Sequence, residues 1–265
     1  MKTSFYPQKS CGLPIKDALQ RCPSLRRYII KGKNRIDLGN SHALLLYNRL
    51  VLQDFMSLDF TVPSGYLIPT VCSRWLFVNW IIQEKIPFRV LEIGTGASAI
   101  IAMMFAKLGC HVEATESDER ALESALDNVR LNDLESLVLI KKVMKERILR
   151  NNYDSLNKFD AIVCNPPQYN QKYFQQQFSN KGFIGQDFEL VGGKEGHEFI
   201  VRLLEEVRSF QDTPKVYFQL TFPRLHKQIS TYLQNQGYSF LKVQRTVGTR
   251  QRFYFKVEKV IKENL

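Results

Sequence analysis

Asn165-Pro166-Pro167 follows the largely apolar run 159–164, and a corner of this composition can present an amide oxygen and a backbone carbonyl side by side. Two neighbouring acceptors suit a planar NH2 group, either the exocyclic amine of adenine or a glutamine side-chain amide. Each amine hydrogen then has a partner, and the nitrogen lone pair can face an electrophile. The two prolines stiffen the corner, because each fixes its own φ and restricts the residue before it. Upstream, Gly94-Thr95-Gly96 separates an apolar run from a helical pattern, with Glu92 before it and Ala99 after it. Glycines at such a turn let the backbone reverse sharply and admit a ligand, and a small residue at 99 permits close helix–strand packing. Glu116, twenty-two residues beyond Gly94, closes the next apolar run. A carboxylate there can accept hydrogen bonds from both hydroxyls of an adenosine ribose; its plainer role is to cap the following helix.

Positioning these residues requires strands that end where they stand. Strands are expected at 88–93, 111–116, 137–143, 160–164 and 215–222, alternating with helices at 98–108, 118–132, 195–210 and 223–236. A hairpin pairs 238–245 with 252–260 around Gly248-Thr249. Strands alternating with helices imply a parallel sheet covered on both faces, here finished by an antiparallel pair. Ahead of it, helices are expected at 41–55, capped by Asn40 or Ser41, and at 70–83, joined by an extended connector with Pro63, Gly65 and Pro69. Residues 1–38 show only weak helical periodicity around 17–30.

The ligand at a glycine turn of this kind is a dinucleotide or S-adenosylmethionine. Three features favour S-adenosylmethionine: Glu92 ahead of the glycines, the closing hairpin, and Asn-Pro-Pro at the end of the fourth strand. The last of these borders the cleft if strand order reverses between strands one and four. The expected fold is therefore α/β, a Rossmann-like class I methyltransferase with a mostly parallel sheet. A basic, mainly helical N-terminal region occupies residues 1–58 and the methyltransferase domain residues 59–265.

The 265 residues carry a net charge of +11, concentrated at both ends. Nine bases face two acids in residues 1–37, and six bases face one acid in residues 242–259. Such blocks attract a polyanion such as nucleic acid, through Arg26, Arg27, Lys31 and Lys33 at one end and Arg250 and Arg252 at the other. The plainer role is a solvated basic surface. No run reaches the roughly 18–20 apolar residues of a membrane span, and the N-terminus lacks a signal-peptide core. Five scattered cysteines without Cys-x-x-Cys spacing point away from disulfides and zinc. A soluble, cytoplasmic, monomeric protein is expected. His42, His111, His197 and His226 have no metal-ligand spacing and are expected at the surface or in packing.

Several stretches together resemble the N6-adenine RNA methyltransferases. Members of that family act on bacterial 23S ribosomal RNA or on eukaryotic small nuclear RNA and messenger hairpins. The stretches are Leu52-Gln53-Asp54-Phe55, Tyr66-Leu67-Ile68-Pro69-Thr70-Val71 running on to Arg74, 93–98, 114–118, 164–167, Gly192-Gly193 ahead of Glu198-Phe199, and 248–253. The likeness covers residues 40–257. It implies cofactor contacts from Arg74, Gly94, Glu116 and Asn165, and a target-amine clamp from Asn165 and the Pro166 carbonyl. The family carries an aromatic residue directly after the second proline, where it stacks on the flipped base. This chain has Gln168 there, with Tyr169 next, so Tyr169 inherits the stacking role if the turn shifts. Lys145 stands where the eukaryotic relative has a regulatory lysine-bearing loop.

The resemblance implies methylation of the N6 amine of an adenosine in structured RNA, with ribosomal RNA the default. Two alternatives stay open. One is a protein methyltransferase acting on a glutamine amide. The other is a catalytically silent RNA-binding protein of the same fold, which the Gln168 departure permits.

Overall fold

A computed structural model describes residues 12–172, 174, 185–248 and 250–258. Lys2, Lys9, Cys11, Thr249 and Lys259 lie outside them.

The sheet is set by alternating side chains on strands β1 (Arg89–Ile93), β2 (His111–Glu116), β3 (Val138–Lys142), β4 (Ala161–Cys164) and, later in the chain, β7 (Lys215–Leu220), β8 (Ser239–Val247) and β9 (Arg250–Glu258). Its order is β3-β2-β1-β4-β7-β9-β8, parallel except that β9 runs antiparallel to both neighbours. Val90, Ala114, Val163, Tyr217 and Tyr254 face one core, against helices α2 (Ser41–Met56), α3 (Val71–Ile82), α4 (Ile100–Lys107) and α5 (Glu119–Leu131). Leu91, Ile162, Phe218 and Phe255 face the other, against α7 (Glu198–Arg208) and α8 (Pro223–Asn235). Trp75, Phe77, Phe105 and Phe218 are fully enclosed, each worth about 1.5–3 kcal/mol of burial.

Strand order reverses between β1 and β4, which meets the condition for Asn-Pro-Pro to border the cleft. Ile93 and Cys164 are register partners, so Gly94 and Asn165 leave the sheet on adjacent strands roughly 4.8 Å apart. The side-chain period of two then puts Glu92, Asn165, Gln219 and Arg252 on the face that α3 covers.

Several boundaries differ from the sequence expectation. Helix α4 begins at Ile100 rather than Ser98, because the chain stays left-handed through Gly94, Gly96 and Ala99 (φ 49°) before it can coil. Helix α7 begins three residues late, because the Glu198 carboxylate collects the N–H groups of Glu195, Gly196 and His197 at 2.8, 2.9 and 3.1 Å. Near the N-terminus, α1 (Ile15–Arg21) stops before Pro23 and a 3-10 helix continues over Pro23–Tyr28. Ala18, Leu25, Ile36 and Ala43 form a small core there, while Val51, Leu52 and Met56, further along α2, join the main one. The Asn40 side chain caps α2, accepting from His42 and Ala43 N–H. Two pieces lie outside the sequence expectation: a short helix α6 (Asp187–Leu190), and a parallel pair of β5 (Tyr169–Asn170) with β6 (Val191–Gly193).

No described helix is long and apolar enough to cross a membrane. Among the described residues Cys22, Cys110 and Cys164 are free and no metal-binding cluster occurs.

Candidate active site

The glycine turn faces open space rather than packed side chains. Gly94 (φ 69°) and Gly96 (φ 67°) occupy the left-handed region, and a Cβ at either would meet open space. Thr115 holds the turn, its carbonyl accepting from Thr95 N–H at 2.9 Å and its hydroxyl from Gly94 N–H at 3.3 Å.

Glu116 is 6% exposed and its carboxylate is largely occupied. Oε1 accepts from Ser117 and Asp118 N–H at 2.7 and 3.0 Å, and Oε2 from Gly96 N–H at 2.9 Å. Each oxygen has two lone pairs, so Oε2 keeps one acceptor position for a ligand hydroxyl. The carboxylate thus fastens the glycine turn to the start of α5 as well as facing the cleft; Asp118 is the helix cap proper, accepting from Ala121 N–H.

Glu92 is buried against the same turn, accepting from Thr95 Oγ1 at 2.8 Å. Burial pushes its carboxyl up to about 7, only partly offset by Thr95 and the Ala102 N–H, with Glu116 adding repulsion. Arg74, on α3, makes no ion pair among the described residues. Desolvation, then the neighbouring Arg252 guanidinium, lowers it to about 10. Arg252 is itself only 8% exposed, donating from Nε to Ser73 Oγ at 3.2 Å.

Arg74, Glu92, Gly94, Gly96, Glu116 and Asn165 border one recess of about 120 Å³. A larger cavity of about 580 Å³ adjoins it, sharing Gly94, Glu116, Pro167, Phe188 and Phe199 and reaching Lys145. Seven of the residues singled out in the sequence, these six and Pro167, therefore meet at one place. Sequence reasoning gives no site role to Phe188 or Phe199.

The Asn-Pro-Pro corner is braced from three directions. Gln219 Nε2 donates to Asn165 Oδ1 at 2.7 Å. Gln168 does not turn towards the cleft: its Nε2 donates to the Gln219 carbonyl at 3.0 Å, and its Oε1 accepts from Thr221 N–H at 2.6 Å. On the far side Gly192 packs so closely that a Cβ there would lie 2.4 Å from the Pro167 carbonyl oxygen. Gly196 packs likewise on the Gln168 carbonyl. Glu198 holds that glycine loop; burial alone would raise its carboxyl, but the backbone N–H groups outweigh it and keep it below the ordinary value.

Tyr169 lies on β5, edge-on to Phe222 at 5.0 Å, and borders neither cavity. Arg26, Arg27, Lys31, Lys33 and Arg250 are all exposed, whereas Arg252 is turned into the protein, because it shares the strand face of buried Tyr254. Of the histidines, His197 borders the larger cavity, and His226 stacks on Phe253 at 3.8 Å.

The RNA methyltransferase family profile matches residues 14–246. A Methanocaldococcus jannaschii protein named only provisionally as a methyltransferase is 33% identical over 208 residues, 75% of this chain and 79% of that protein. Ribosomal RNA large subunit methyltransferase F of Desulfotalea psychrophila is 31% identical, covering 57% of this chain and 54% of its own length. The U6 small nuclear RNA (adenine-(43)-N(6))-methyltransferase of Drosophila melanogaster is 24% identical, covering 77% and 73%. The chain thus spans about half of the ribosomal RNA enzyme. Among solved structures, the human METTL16 catalytic domain with the MAT2A 3′UTR hairpin 1 superposes with a TM-score of 0.81 at 21% identity, covering 92% of this chain and 90% of that one. The METTL16 N-terminal domain with S-adenosylhomocysteine gives 0.77 at 20% identity, covering 97% and 98%. The fold is that of a class I methyltransferase, and the chain belongs to the RNA methyltransferase family.

Proposed function

We propose that this protein methylates the N6 amine of an adenosine in structured RNA, using S-adenosylmethionine, with ribosomal RNA as the default target. The observation carrying the reading is the Ile93–Cys164 register, which puts an acceptor-bearing corner beside an open glycine turn. An adenosyl ligand fits the groups available: space at Gly94 and Gly96, one acceptor position left on Glu116, and the buried carboxyl of Glu92 for a cationic centre.

S-adenosylmethionine, when bound, supplies a methyl group activated by its sulfonium. Asn165 Oδ1 and the Pro166 carbonyl accept the two hydrogens of the target amine. They hold its lone pair in line and stabilise the positive charge that develops on nitrogen. Arg74, Glu92, Gly94, Gly96 and Glu116 hold the cofactor, and Pro167 walls the target pocket. Adenine must leave its stack to enter, which favours a loop or bulge; Tyr169 offsets part of that cost by stacking, about 1–3 kcal/mol, only where the turn shifts to bring its ring to the cleft. Gln168, with both amide groups committed to β7, supports the corner rather than the base. Residues 1–58, through Arg26, Arg27, Lys31 and Lys33, grip the RNA backbone together with Arg250, while residues 59–265 carry the chemistry. The working form is a cytoplasmic monomer.

The test is methyl transfer from labelled S-adenosylmethionine to total RNA and, separately, to total protein, followed by mapping of N6-methyladenosine. Label in RNA at N6 supports the reading. Label on protein glutamine, or cofactor binding without transfer, replaces it with one of the two alternatives.

A further inference from the structure

Gln219 is a lone amide in the apolar strand β7, 2% exposed, and its surroundings leave it incompletely satisfied. Its Nε2 donates to Asn165, but its Oε1 is enclosed with no partner among the described residues. An orphaned buried acceptor costs about 1–3 kcal/mol. A methionine of similar volume would avoid that deficit, so packing alone does not account for the amide. What the position gains is a single N–H aimed at Asn165 Oδ1.

We infer that Gln219 is a positioning residue: its N–H fixes the rotation of the Asn165 amide so that the oxygen, not the NH2, is held where the target amine must be received. The inference rests on the methyl-transfer reading above and names a residue that acts through Asn165 without touching substrate. A donor facing Oδ1 disfavours the flipped amide, because Nδ2 in that place would oppose N–H to N–H unless the Gln219 amide turned over with it. It occupies one lone pair of Oδ1 and leaves the second for the incoming amine. Without it, the terminal amide torsion of asparagine is broad and close to two-fold, and both orientations populate.

The strand register makes the contact rigid. Cys164 pairs with Phe218, so Asn165 and Gln219 are the next residues on adjacent strands. Gln168, from the same corner, grips the Gln219 carbonyl and Thr221 N–H. The corner is therefore tied to β7 twice, once through the side chain of Gln219 and once through its backbone. A misplacement of about 1 Å at a reacting group costs roughly 100-fold, which sets the scale of the effect.

The experiment uses the full chain, labelled S-adenosylmethionine and a synthetic hairpin RNA with an unpaired adenosine, with total RNA as a second acceptor. Gln219→Met should lower kcat between about 10- and 100-fold, with unchanged KM for both substrates and unchanged S-adenosylhomocysteine affinity by calorimetry. Independently of activity, the Asn165 side-chain amide resonances, single in the parent, should broaden or double in the variant. Gln219→Glu serves if the methionine variant folds poorly. Its carboxylate cannot donate, but its protonated form can, so its kcat relative to the parent should recover as pH falls. A kcat within two-fold of the parent in either variant at pH 8, or a parallel rise in KM, overturns the positioning role while the functional reading survives. Absence of transfer by the parent chain to either RNA overturns both.

Discussion

Gln219 and Asn165 face each other across the ends of β7 and β4, Nε2 to Oδ1 at 2.7 Å. The chemistry assigned to the corner therefore depends on a strand that contributes nothing else to the recess.

Asn165→Ala removes one of two acceptors for the target amine. Transfer should fall by at least about 100-fold, the scale seen when one group stabilising a developing charge is deleted. Cofactor affinity should change little, since the glycine turn is held separately by Thr115 and Glu116; the melting temperature should fall modestly, because the buried Gln219 Nε2 loses its acceptor. Single-turnover rates alongside calorimetry check this; retained turnover removes Asn165 from the clamp.

Glu92 makes the protein pH-sensitive in a definite direction. Its folded value of about 7 lies above the ordinary 4.5. Its contribution to stability is thus fully present below about 4.5 and is lost as pH rises through about 7, a change of roughly 3 kcal/mol. Glu92→Gln should accordingly raise the melting temperature of the ligand-free protein at pH 8 more than at pH 5. Binding has the opposite sign, because a cationic cofactor favours the ionised carboxylate: affinity should rise from pH 6 to pH 8 in the parent and flatten in the variant. Calorimetry at three pH values decides.

Glu206, buried on α7, accepts from Ile148, Leu149 and Arg150 N–H at 3.2, 2.7 and 2.9 Å. It thereby anchors the loop after β3, which walls the larger cavity. Glu206→Ala should cost about 2 kcal/mol, since the buried Ile148 and Leu149 amides and the part-buried Arg150 amide lose their acceptor. It should also weaken cofactor binding and speed hydrogen exchange at 148–150. Unchanged exchange would show that the loop is held by packing alone.

The gripping role of the N-terminal bases predicts a salt signature. Alanine at Arg26, Arg27, Lys31 and Lys33 together should weaken RNA binding across sequences. It should also flatten the dependence of log Kd on log salt by about one unit for each phosphate that is no longer neutralised. Turnover at saturating RNA should be preserved. Binding by the parent that ignores salt would contradict the assignment.

The recess is readable in the sequence where its signal is local. Gly94, Gly96 and Asn165 each sit in a short motif at a strand end, and Glu116 closes the adjacent strand, so alternation of strands and helices is enough to bring them together. Gln219 and Glu206 are not readable, because their partners lie 54 and 56–58 residues away and meet them only through sheet register and loop docking. A polar residue inside the apolar run of β7 is the sole hint of the first. Helix starts depart from expectation for a related reason. Periodicity marks where apolar residues recur, whereas the observed starts are delayed by Ala99 in a left-handed conformation and by Glu198 reaching back over its own loop.

Gly192 has one further consequence. Any side chain at Gly192 or Gly196 would collide with the Pro167 or Gln168 carbonyl, so the corner is held closely from that side. On the proposed reading, much of its ordering entropy is settled during folding instead of at every encounter, which favours nucleotides that already fit.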